Sequence, residues 1–146
     1  MSGLPIRLLI DLFSVLGAGF AIWKGGMAER LAAGVIMANV AIGDVGQTLA
    51  PQSEGLIRLC NDGLAAVALL VITLRYGAVW MGGVMLFYAA QFALHSYYLV
   101  TERPDNDYLH AMINNINWSG IIWCLIIGTI VAWRARVRRL KAASAA

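Results

Sequence analysis

Five long apolar stretches constrain this chain more than any other feature. They run over residues 8–23, 31–50, 56–74, 78–100 and 112–133. Only short polar breaks separate them: Lys24-Gly25-Gly26, Pro51-Gln52-Ser53-Glu54-Gly55, Arg75-Tyr76-Gly77 and Glu102-Arg103-Pro104-Asp105-Asn106-Asp107. About 20 apolar residues in a helix cover the ~30 Å of a bilayer's hydrocarbon, and several of the stretches approach that length; the first is the shortest. Helix is the required state, because an open strand in lipid leaves its backbone groups unpaired. The expectation is an all-α, polytopic transmembrane bundle of five helices, one integral membrane domain over residues 1–146 with a basic cytoplasmic tail at 134–146.

Composition excludes the alternatives. Of 146 residues, 60% are hydrophobic and 13% charged, with a mean hydropathy of +0.72. Soluble domains carry about 25% charged residues. A chain this short cannot hide so much apolar surface in its own core, and it is far too hydrophobic to be disordered.

The charges set an orientation. Arg134, Arg136, Arg138, Arg139 and Lys141 follow the last apolar run. Beside a span such a cluster fixes topology and meets anionic lipid headgroups, so nucleic acid is not an expected partner. With that tail inside, five spans put the N-terminus outside, and Lys24, Arg30 and Arg75 fall on the tail's side. Glu54, Glu102, Asp105 and Asp107 fall on the other, as the positive-inside rule requires. The first run also resembles a signal peptide, with Arg7 as basic flank and Gly19-Phe20-Ala21 as a cleavage-like site. Asp11 within the run argues against that, and cleavage would leave Lys24 and Arg30 on the wrong side. A bacterial cytoplasmic membrane, N-out and C-in, is the expected setting. Trp23, Tyr76, Trp80 and Trp133 at one set of helix ends, and Tyr97, Tyr98 and Tyr108 at the other, read as interfacial aromatic belts.

Once oriented, the polar residues gather in the outer half: Asp11, Asp44, Gln47, Asn61, Asp62, Gln91, His95, His110, Asn114 and Asn117, with Asn39 near the middle. Ionisable groups at membrane depth cost about 2.5–3.5 kcal/mol each at a helix centre, so they face protein or water. Gln91 and His95 share a helix face, as do His110, Asn114 and Asn117. Two readings follow. One is a ligand- or ion-binding pocket opening outward above an apolar plug, with Asp11, Asp44, Gln47, Asp62, Gln91, His95, His110, Asn114 and Asn117 as candidates. The other is structural: Arg7–Asp11 and Arg58–Asp62 pair locally, the amides hold helices together, and Gly43, Gly46, Gly120 and Gly128 allow close approach.

Sharper chemistry finds no motif. Asp44, Asp62, His95 and His110 are metal-ligand types without a metal-site spacing, and a haem would need His95 and His110 to converge across the outer loop. No catalytic residue or metal site is expected from known patterns, and the sequence leaves the cofactor unknown. Cys60 and Cys124 lack a ligand spacing and read as buried, small apolar side chains. Ile6–Asp11 and Ile57–Asp62 are similar, and sliding one onto the other aligns Lys24 with Arg75 and Asp44 with His95. This suggests two similar hairpins plus a fifth helix.

Trp23-Lys24-Gly25-Gly26 with Glu29-Arg30, Asp62 leading an Ala/Leu/Val-rich run to Arg75, and Trp118-Ser119 in the last run carry a resemblance. From Leu8 to Arg134 the chain resembles small five-helix inner-membrane proteins of alphaproteobacteria to which no activity is assigned. The resemblance implies a fold and a location only. The functional expectation is a non-enzymatic accessory, regulatory or immunity-type protein that presents its periplasm-facing polar pocket to a membrane protein partner or works as a homo-oligomer. A small oligomeric transporter or ligand carrier is the alternative, and an embedded enzyme comes third.

Overall fold

The computed structural model describes residues 4–50, 53–103 and 107–145. Within them lie five helices and no strand: α1 (Leu4–Lys24), α2 (Met27–Leu49), α3 (Glu54–Tyr76), α4 (Met81–Val100) and α5 (Tyr108–Ala143). Each breaks where the sequence supplies a local reason. The Gly25–Gly26 pair separates α1 from α2. Ala50, before Pro51, leaves helical geometry, as the proline ring requires of its predecessor. Gly77 closes α3 in the left-handed conformation at φ 63°, where a Cβ would be strained.

Consecutive helices pack against one another, and α5 returns to pack on α1, so the five form a closed ring with a lesser α2–α5 contact across it. Chain alternation makes α1, α3 and α5 run one way. Three helices, α2, α3 and α5, are long and apolar enough to cross a membrane. α5 has 36 residues, about 54 Å at 1.5 Å per residue. Its final turns therefore stand well beyond a hydrocarbon layer, and the tail expected from residue 134 is helical as far as Ala143.

The ring is divided along its length. At the end holding the C-termini of α1, α3 and α5, Ala18, Ala21, Ala32, Ala33, Ile36, Leu69, Met81, Val84, Ile121, Ile122 and Leu125 form the buried apolar core. Close approach here depends on glycine. A Cβ on Gly128 would lie 2.3 Å from the Trp80 indole, and one on Gly120 2.3 Å from the Phe87 ring. Gly46 is similarly closed by Ile57, but Gly43 has nothing within 4 Å; it opens space instead.

Arg136 departs from its expected headgroup role. Its guanidinium turns in to the α1–α2 junction, donating to the Lys24 carbonyl and lying 3.8 Å from Glu29, whose side chain is 6% exposed. Glu29 accepts from the Gly26 N–H at 2.7 Å, so one carboxylate ties α2's first turn to α5. The physical reason is the helical continuation of α5, which carries Arg136 back over α1's last carbonyls. Arg134, Arg138, Arg139 and Lys141 are exposed.

Cys60 is exposed on the bundle's outer face and Cys124 half-buried, both as free thiols; the expectation that Cys60 is buried is corrected. Tyr98 is also buried rather than interfacial. The aligned positions of the two hairpins have different surroundings, Asp11 being exposed where Asp62 is buried and Asp44 exposed where His95 is buried. The Arg7 side chain and Asp105 lie outside the described residues.

Candidate functional site

The other half of the ring holds a cavity of about 1460 Å³ lined by all five helices. Asp11, Asp44, Gln47, Asp62, Gln91, His95, His110 and Asn114 all line it. Of the residues singled out from sequence only Asn117 does not; it is buried in the helix packing, its side-chain N–H2 without a hydrogen-bond partner. Depth separates the rest. Asp11 and Asp44 are exposed, Gln47 and Asn114 half-buried, and Asp62, Gln91, His95 and His110 buried. The apolar lining comes from Phe87, Trp118, Trp123 and their neighbours.

The deepest polar groups are linked. Asn61 Nδ2 donates to the Asn39 carbonyl at 2.7 Å, and Asn39 Nδ2 donates to Asp62 Oδ1 at 3.0 Å. These bonds lock α2 to α3. Asp62 Oδ2 lies 3.3 Å from His95 Nε2, within ion-pair range but off the line of a hydrogen bond. His95 Nδ1 lies 3.2 Å from His110 Nε2. Asp62 is thus bonded across helices, beyond the local pairing with Arg58 that its spacing suggested.

Tyr98 packs its ring on His110, centroids 4.5 Å apart, and donates its hydroxyl to Asp107 Oδ2 at 2.8 Å. Asp107 also caps α5 by accepting from the Leu109 N–H. The Tyr98 hydroxyl, then the Leu109 amide, hold the Asp107 carboxyl below its ordinary range. Gln91 Nε2 donates to Asn114 Oδ1 at 3.0 Å, leaving Gln91 Oε1 buried with no donor.

This arrangement can relay a proton once a small turn of the His95 ring brings Nε2 into line with Asp62 Oδ2. With His110 protonated at Nε2 it donates to His95 Nδ1, so His95 carries its own proton on Nε2, facing Asp62. A proton arriving at His110 Nδ1 then has a route. His110 passes its Nε2 proton to His95 Nδ1, and His95 passes its Nε2 proton to Asp62 Oδ2. Both imidazoles end neutral and Asp62 ends as the acid. His95 and His110 do converge across the α4–α5 loop, but the two His95 nitrogens face different partners. Among the described residues no three His, Cys, Asp or Glu side chains gather around one point.

Several contributors were not singled out from sequence. Tyr98 and Asp107 join the chain of groups through a cap that Asp before an apolar helix could have signalled. Ser14 accepts from Trp118 Nε1 at 2.7 Å, holding the cavity wall of α5 to α1. A lone serine in an apolar run gives no such signal.

No family model matches the chain, and neither a curated protein nor a solved structure is significantly similar to it.

Proposed function

We propose that this is a non-enzymatic integral membrane protein that binds a small ligand or ion in the cavity, which opens to the periplasm of a bacterial cytoplasmic membrane. In this reading all five helices span, N-terminus outside and C-terminus inside. α1 and α4, with 21 and 20 residues, reach about 30 Å. Both turn large apolar side chains outward, Leu8, Leu12 and Leu16 on α1 and Leu86, Leu99 and Val100 on α4. The polar residues that weaken α4 as an apolar segment, Gln91 and His95, are buried within the ring. Exposed Arg134, Arg138, Arg139 and Lys141 then meet the anionic inner leaflet.

The observation behind the ligand-binding reading is the cavity itself. Several of these groups bond one another across helices, yet they leave a large open volume between them, which helix glue alone does not need. Here acids, amides and histidines from different helices line one open volume, as ligand sites between bundled helices do.

Native mass spectrometry of the protein, gently extracted from its own membrane, tests this reading. The expected result is a small molecule or ion on the wild type whose binding is weakened in Gly43→Phe, since the open space at Gly43 lets a ring crowd the cavity it lines. A stoichiometric protein partner with no small-molecule adduct would return the accessory role to first place.

A further inference from the structure

The cavity's unsatisfied groups specify what it binds. Among its described lining residues, two buried side-chain oxygens make no hydrogen bond, Asp62 Oδ2, with His95 Nε2 off line at 3.3 Å, and Gln91 Oε1. Gln91 Oε1 accepts in any state, and Asp62 Oδ2 does so once it has given up a proton. Asp62 is 4% and Gln91 6% exposed, so water does not freely satisfy them, and a buried acceptor without a donor is costly. A ligand that relieves both must bring N–H or O–H groups. Charge narrows the choice: among the described residues, Asp11, Asp44 and Asp62 line the cavity against Arg58. Phe87, Trp118 and Trp123 also line the cavity, and aromatic rings suit a cation with an apolar body.

We propose that the cavity takes an organic ammonium ion carrying an apolar or aromatic group, and that its arrival displaces a proton from Asp62. This rests on the ligand-binding reading and adds the ligand's class to it. The ammonium donates to Asp62 Oδ2 and Gln91 Oε1, which requires Asp62 as the carboxylate. The proton on Asp62 Oδ2 leaves through His95 Nε2. His95 releases its Nδ1 proton to His110 Nε2, and His110 releases its Nδ1 proton toward solvent. One cation enters as one proton departs, and the charge of the site is unchanged. The titratable and charged groups around Asp62 are Asp11 from α1, Asp44 from α2, Arg58 on α3 itself, Tyr88 and His95 from α4 and His110 from α5. Acid predominates among them, which favours a cation at every step.

Calorimetry on the full-length protein in detergent, with three indole probes that share a two-carbon arm, tests the proposal. Tryptamine supplies the ammonium, tryptophol a neutral hydroxyl and indole-3-propionate a carboxylate. The expected result is saturable binding of tryptamine that outcompetes the other two. It should release protons, seen as heats that vary with the buffer, and weaken as pH falls, because protons compete with the cation for Asp62. Asp62→Asn should lose the proton release and roughly tenfold or more in affinity. Gln91→Leu, which keeps the acid, should weaken binding several-fold and keep the release. Equal or stronger binding of tryptophol or indole-3-propionate would overturn the ligand class and leave a ligand cavity standing. So would saturation by none of the three while an adduct persists in native mass spectrometry. Unchanged tryptamine binding in a folded Asp62→Asn would overturn the role of Asp62.

Discussion

Ser14→Ala isolates the contact that closes the helix ring. Ser14 and Trp118 are 3% and 9% exposed, and the indole N–H donates to Ser14 Oγ at 2.7 Å. The same hydroxyl donates to the Ile10 carbonyl at 2.8 Å, so both of its roles are occupied. Removing it leaves Ile10 its helical bond but strands the indole N–H between α1 and α5. A stranded buried donor costs about 1–3 kcal/mol in soluble proteins. Interhelical couplings in bilayers average about 0.6 and reach about 1.7 kcal/mol, because the separated helices find other partners in the membrane. The membrane scale applies here. Ser14→Ala should therefore cost about 1 kcal/mol. Trp118→Phe should cost more through lost packing, and the double variant should show a coupling of about 1 kcal/mol. Reversible unfolding in mixed micelles reads all four corners of the cycle. A coupling within about 0.3 kcal/mol of zero would refute the register of α1 on α5, and with it the wall that holds Trp118 at the cavity.

Arg136→Ala should destabilise by about 1–2 kcal/mol, discounted from the larger cost of an unpaired buried carboxylate because the Arg136 side chain is 41% exposed. Adding Glu29→Gln should recover part of that loss in the same unfolding assay. At Asp107, whose carboxyl lies below its ordinary value of 3.8 through the Tyr98 hydroxyl, the bond stabilises the fold fully above that value. The contribution is lost as pH falls through the lowered one. Melting curves of wild type and Tyr98→Phe across acidic pH should thus converge at the acid end.

The architecture was legible because solvent and period leave few choices: apolar runs of this length must be helices, and their breaks fell within about four residues of the observed ends, except that α5 runs on from 133 to Ala143. The polar half was legible for a related reason. Asp62, Gln91, His95 and His110 are too costly in lipid to point outward, so their spacing already placed them inside. Pairing was not legible. Which nitrogen of His95 meets Asp62, or that Asn39 bridges α2 to α3, depends on helix rotation, and an apolar sequence constrains rotation weakly. Arg136 escaped for the same reason, since helical continuation rather than charge decided where it turned. Gly43 shows the limit of residue type: with Gly46, Gly120 and Gly128 it read as a packing glycine, yet it borders empty space.

The central claim is a cavity open on the side opposite the basic end of α5. Asn115, half-buried at its lining, places a probe there as Asn115→Cys in a background of Cys60→Ala and Cys124→Ala. A membrane-impermeant maleimide applied to intact cells reads access from outside. Labelling from the outside is expected, and Gly43→Phe should slow it. Labelling only after the membrane is opened, or only after the protein is unfolded, would contradict it.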